Sequence, residues 1–193
     1  MASPVRAPLP PVEETRPQRA DARRNRERIL QAARTAFADR GQDVQMDEIA
    51  GRAGVGVGTV YRHFPTKEAL VLELVRESVG GCIAGAAAAL EREDPWEAVE
   101  SVVRANAQNM ARNRGLRDAM AGVDFPDDCP WEDAQLRNHA ADLIERAQLA
   151  GVMRADITVD DYQALMCGLA AAIASGGDPE RQSDMALAGL RAQ

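Results

Sequence analysis

MDEIAGRAGVGVGTVYRHFPTK, residues Met46–Lys67, carries two short helical patterns separated by a glycine. Met46, Ile49, Ala50 and Ala53 recur at three- and four-residue spacing, so they share one face of a helix. Gly54 follows. Without a Cβ it takes positive φ at little cost and is a natural stop for that helix. Residues 59–64 predict a second short helix, with Val60 and Phe64 inward and Thr59, Arg62 and His63 pointing elsewhere. Pro65 ends it, because the residue before a proline is pushed out of the α region. Two short helices with a glycine at the corner make a helix-turn-helix, which offers its second helix to a DNA major groove.

On the amino-terminal side, the spacing of Ile29, Ala33, Ala36 and Phe37 predicts a helix over 21–40, and Gly41 supplies its stop. Arg23, Arg24, Arg26 and Arg28 crowd its first turns, where cations oppose the helix dipole. A nearby phosphate backbone would favour them there; a solvated face balanced by Glu27 would tolerate them. The run Gly54-Val55-Gly56-Val57-Gly58 looks superficially like a phosphate-cradling loop. A dinucleotide fingerprint would need a glycine at Thr59 and a strand beforehand, and no Walker lysine follows, so nucleotide binding is rejected.

Ile29-Leu30, Ala32-Ala33, Phe37, Gly41, Ile49-Ala50, Ala53-Gly54-Val55, Gly58-Thr59, Tyr61, His63-Phe64 and Lys67-Glu68-Ala69-Leu70 together resemble the amino-terminal domain of the tetracycline-repressor (TetR) family. The resemblance implies a homodimeric transcriptional regulator, usually a repressor. It would bind a near-palindromic double-stranded DNA operator and be released by a small-molecule inducer. By the same resemblance Thr59, Tyr61, His63 and Lys67 match positions that hold phosphates, and their side chains are all donors. Val57, Gly58 and Arg62 match the positions nearest the base edges; Arg62 alone of these can make a bidentate contact to guanine. Gln45 stands where a threonine commonly caps the second helix, and Gly56 where a serine or threonine commonly caps the third. Each change loses a hydroxyl cap, and altered affinity is the expected result. Gln45 can still donate to a phosphate.

Composition agrees with helices packed through small residues. The 193 residues are 46% apolar, with only three Phe, two Trp and two Tyr, and an all-α protein is expected. No apolar run reaches the roughly eighteen residues of a membrane span, so a cytoplasmic protein without membrane attachment is expected. Cys82, Cys129 and Cys167 are an odd set without CxxC, which supports neither a disulfide framework nor a zinc site. The net charge of −7 conceals an asymmetry. Residues 1–67 hold twelve Lys and Arg against eight Asp and Glu, whereas 68–193 hold eleven against twenty-two. The basic end, which contains the helix-turn-helix, would attract phosphate and the acidic end repel it.

Three domains follow: a disordered tail over 1–20, rich in proline; a helix-turn-helix DNA-binding domain over 21–67; and a helical ligand-binding and dimerisation domain over 68–193. The tail is a solvated linker or a basic arm. Within the last domain, helices are expected at 66–92, 95–113, 116–121, 130–150, 159–174 and 179–191, with Gly80-Gly81 able to bend the first. Asp94, Thr158 and Asp178 serve as caps. The family resemblance places Trp96, Met110, Met120, Phe125, Trp131, His139 and Met166 around an inducer cavity, although such a set at helical spacing also suits plain core. His139 has no second His or Cys at ligand spacing, so a non-ligating role is expected, and no metal or cofactor. Tyr162, Leu165, Met166, Leu169 and Ile173 form a stripe beside small Gly168, Ala170–Ala172 and Ala174. Intramolecular core would suit the same residues equally; a homodimer interface over 159–191 is expected because DNA half-sites need two heads at matching spacing. GLAAAI at 168–173 and GVMRADITVDDY at 151–162 resemble an actinobacterial subgroup of the family. A helical adaptor without DNA binding is the alternative reading; an α-helical enzyme is weaker still, since no HExxH, nucleophile elbow or Walker loop is present.

Overall fold

The computed structural model describes residues 16–120 and 134–192, which form an all-helical protein. The helices are α1 (Arg16–Arg40), α2 (Met46–Ala53), α3 (Val57–His63), α4 (Lys67–Leu90), α5 (Pro95–Arg112), α6 (Arg114–Met120), α7 (Ala134–Leu149), α8 (Val159–Ala174) and α9 (Pro179–Leu190), with a 3-10 turn at Gly41–Asp43. No helix among the described residues is long and apolar enough to cross a membrane. Helix α1 begins at Arg16, five residues before the expected start at Asp21. Pro17 lies in its first turn, where a missing N–H costs no intrahelical bond. Residues 1–15 lie outside the described residues, as do Phe125, Cys129 and Trp131.

Caps set the trunk helices. Asp94 accepts from the backbone N–H groups of Trp96 (2.7 Å) and Glu97 (2.9 Å), with Pro95 at the first helical position. Thr158 and Asp161 form a reciprocal capping box, and the Thr158 hydroxyl holds the Asp161 carboxyl below its usual range. Asp178 accepts from the Arg181 N–H at 2.8 Å. Thr66 caps α4, accepting from Ala69 at 3.2 Å. That helix continues without interruption through Gly80 and Gly81 to Leu90. Its carboxyl end is capped from a distance: Arg146 on α7 donates to the carbonyl of Leu90 at 2.7 Å and to those of Arg92 and Glu93 just beyond.

Two main cores result. The first joins the head to the start of the trunk, with Ile29, Leu30, Phe37, Ile49, Val60, Leu70 and Leu74 buried among α1–α4, and Leu116 of α6 packed on them. Each such side chain contributes about 1.5–3 kcal/mol on burial. The second core lies among α5, α7, α8 and α9, around Trp96, Val103, Ile144, Tyr162, Leu169, Ile173 and Leu187. Burial with a thiol nearby pushes the Tyr162 phenol well up. Helix α6 connects the two. Gly115 abuts α1 so closely that a Cβ there would fall 1.8 Å from the Phe37 carbonyl oxygen. From the same helix Arg114 donates to the Ile173 carbonyl (2.8 Å) and Arg117 to that of Ala170, both on α8.

Candidate DNA-binding surface

The corner between α2 and α3 forms as its glycines require. Gly54 takes φ 63° and ψ 40°, and its N–H bonds back to the Ala50 and Gly51 carbonyls. Helix α3 starts at Val57, two residues earlier than expected, with Gly56 as its cap and the Thr59 N–H donating to the Gly56 carbonyl at 2.8 Å. Gly56 has no side chain to offer, and Gln45, the cap of α2, makes no side-chain cap bond either. Its amide donates instead to the Asp43 carbonyl at 3.3 Å. Both hydroxyl losses noted in the sequence are therefore real losses of a cap.

Val60 is the buried residue of α3 and, with Phe64 at its end, roots the helix in the head. Val57, Gly58, Tyr61 and Arg62 consequently share the outer side. Val57 is 42% and Tyr61 48% exposed, so an apolar and an aromatic side chain stand in solvent on one short helix. Arg62 is exposed and has no ionic or hydrogen-bond partner among the described residues. Thr59 and His63 are half-buried at the flanks. Burial, with the charges of Arg26 and Arg62 adding to it, holds the His63 imidazole below its usual value. Lys67 is less free: its ammonium donates to the Gln42 carbonyl and lies 5.9 Å from the Phe37 ring centroid.

The arginines of α1 divide their work. Arg26 pairs with Glu73 of α4 and covers the Phe64 ring at 5.5 Å, while Arg28 reaches the Gly54 carbonyl at 3.4 Å. Arg23 and Arg24 pair with Glu27 and Asp21 on their own helix. Arg40, Arg52, Glu48 and Asp39 form an ion network joining α1 to α2, with contacts of 2.6–3.0 Å. None of these long-range pairings had a sequence signal, since the partners lie up to 47 residues apart.

Of the expected pocket residues, Trp96, Met110, Met120, His139 and Met166 lie among the described ones. Trp96, Met110 and Met166 belong to the second core, where Arg191 lies 4.9 Å from the Trp96 ring, whereas Met120 packs on the first. His139 is half-buried, and its Nδ1 is buried without a hydrogen-bond partner among the described residues. No cluster of three metal-ligating side chains occurs among the described residues.

Residues 29–74 match the family described as bacterial regulatory proteins, tetR family, and residues 94–192 match the transcriptional regulator SbtR-like C-terminal domain. The chain belongs to the TetR family. A TetR transcription regulatory protein from Mycobacterium vanbaalenii is 40% identical, with a TM-score of 0.68 over 90% of this chain and 98% of that one. A TetR transcriptional regulator from Streptomyces coelicolor is 31% identical, with a TM-score of 0.65 over 87% and 99%. An HTH-type transcriptional regulator from Staphylococcus aureus is 37% identical over 62 residues, which cover 32% of this chain and 34% of that protein. The chain thus spans about a third of the curated relatives it matches, through the head. TetR-family membership makes this a DNA-binding transcriptional regulator of a non-enzymatic family, with a helix-turn-helix ahead of a helical ligand-binding domain.

Proposed function

We propose that the protein is a ligand-responsive repressor that binds a near-palindromic operator as a homodimer and leaves it when a small molecule occupies the trunk. Residues 21–67 serve as the DNA-reading head and 68–193 as the sensing and pairing trunk. The observation that supports this most is the outer side of α3, where Val57, Tyr61 and an unpaired Arg62 stand exposed around Gly58. An exposed aromatic on a seven-residue helix gains nothing from solvent, but in a groove it adds contact to the sugar-phosphate wall. Gln45, Thr59, Tyr61, His63 and Lys67 take phosphates in this reading; Val57, Gly58 and Arg62 take base edges, with Val57 suited to a thymine methyl.

Dimerisation through 159–191 is supported by the outward side of α8. Ala164, Cys167, Gly168, Ala171 and Ala174 are exposed and uncharged, while Tyr162, Leu169 and Ile173 face the second core. On α9, Met185 is 62% exposed. Small side chains allow close helix approach, and two heads in register match two half-sites about 34 Å apart. Selection of bound sequences from a random duplex pool tests the whole reading. A symmetric consensus, with affinity that falls steeply as salt rises, is expected; absence of any enriched sequence at low ionic strength refutes it.

A further inference from the structure

A slot of about 660 Å³ runs between α4 and α5 and is bounded at one end by α1 and α6. The two long helices are antiparallel here: Asn109 bonds Ser78, while Ala86 and Ala89 pack with Ala98 and Val102. Lining residues extend from Leu74 to Ala86 on one helix and from Ser101 to Asn113 on the other. At the α-helical rise this makes the slot roughly 18 Å long.

Its chemistry changes along that length. At the head end stand Arg34, Glu77 and Arg112. Arg34 pairs with Glu77, whereas Arg112 has no acidic partner among the described residues. The middle presents carboxamides. Asn109 donates to the Ser78 hydroxyl at 3.0 Å and accepts from Asn113 at 2.7 Å; the Asn106 side chain, one turn away, makes no hydrogen bond among the described residues. Beyond it the lining is apolar, around Ala86 and Val102. Gly81 and Gly85 also face the slot, and a Cβ at either would meet nothing within 4 Å. Glycine inside a helix is less stable than alanine, so the chain keeps this space open at the expense of α4.

We propose that the slot binds an elongated, amphipathic monocarboxylate with a hydroxyl or carbonyl group near its acid end. The carboxylate meets Arg112, the hydroxyl meets the Asn106–Asn109 row one turn along, and the hydrocarbon lies toward Val102. Volume and mixed lining suit a small-molecule site, and an unpaired guanidinium suits a carboxylate. This assignment rests on the ligand-responsive reading above and names the ligand class for it. The acid end would touch Thr35 of α1 and Leu116 of α6, so occupancy bears directly on how the head leans against the trunk.

Titration of the full chain with β-hydroxydecanoate, its methyl ester and decanoate, followed by calorimetry, tests the assignment. Saturable binding of the hydroxy acid is expected, weaker for the other two. Arg112→Gln should weaken the acid by about tenfold and leave the ester unchanged. Gly85→Leu, which adds a helix-favouring side chain into open space, should block all three without lowering the melting temperature. Absence of saturable binding for every β-hydroxy acid from hexanoate to dodecanoate overturns the assignment, as does unchanged binding in Gly85→Leu. Fluorescence anisotropy on a selected operator duplex separates the two ideas. A chain that binds the duplex but no acid refutes only the slot; one that binds acid but no duplex refutes the regulator reading and leaves the slot standing.

Discussion

Arg62 and Lys67 are both cations near the same surface, yet their surroundings separate them. Arg62 projects from α3 without a partner among the described residues, whereas Lys67 already bonds the Gln42 carbonyl. Arg62→Ala should therefore lower discrimination at particular base pairs by about 1–3 kcal/mol, with the fold unaffected. Lys67→Ala should weaken all duplexes alike, flatten the salt slope by about one, and lower stability by about 1 kcal/mol through its lost main-chain bond. Quantitative binding to a library of single-base operator variants distinguishes them, and equal loss at every position for Arg62→Ala sinks its base-reading role. His63 adds a pH dependence. Burial first, then Arg26 and Arg62, disfavours its cation in the free protein, so its pKa lies below the ordinary 6.5. A phosphate would favour the cation, raise that pKa and make binding take up a proton. Affinity should then rise as pH falls through the ordinary histidine range, by up to about tenfold, and level off below the free protein's value. His63→Gln should be flat across the same range; an unchanged slope would remove His63 from the phosphate set.

Among the helices, α6 illustrates both what the chain discloses and what it hides. Its seven residues lack a strong periodic pattern, and its position depends on Gly115 lying against the Phe37 carbonyl and on Arg114 and Arg117 reaching α8. Nothing local to residues 114–120 announces those contacts, because the partners lie more than fifty residues away on both sides. The start of α6 was nonetheless legible to within two residues, as were the bounds of α2, α5, α8 and α9, where Asp94, Thr158 and Asp178 satisfy end N–H groups within their own first turn and Gly54 needs its left-handed φ locally. The outer side of α3 was legible for the same reason: one inward Val60 fixes where its neighbours point. The slot was not, because its apolar and amide walls come from helices whose separate patterns read as ordinary core and surface. Gly115→Ala tests the tight contact. Overpacking should cost about 1–3 kcal/mol and appear as a lower melting temperature. Unchanged melting would mean that α6 and α1 part freely.

For the molecule as a whole, the basic head and acidic trunk define a polarity that matters only if two heads are held together. Ala171→Glu places a charge on the exposed uncharged side of α8, facing away from the second core. It should give monomers by sedimentation and lose at least about a hundredfold in operator affinity, because a single head forfeits the second half-site. A stable dimer in that variant would move the pairing surface off α8. The close seat of Gly115 on Phe37 also bears on engineering by module exchange. A chimera joined after Lys67 would set a foreign residue opposite that carbonyl. Any donor trunk with a side chain at that position would tilt the grafted reader or expel it, whatever the quality of the splice. Successful swaps should need a trunk that brings its own glycine there.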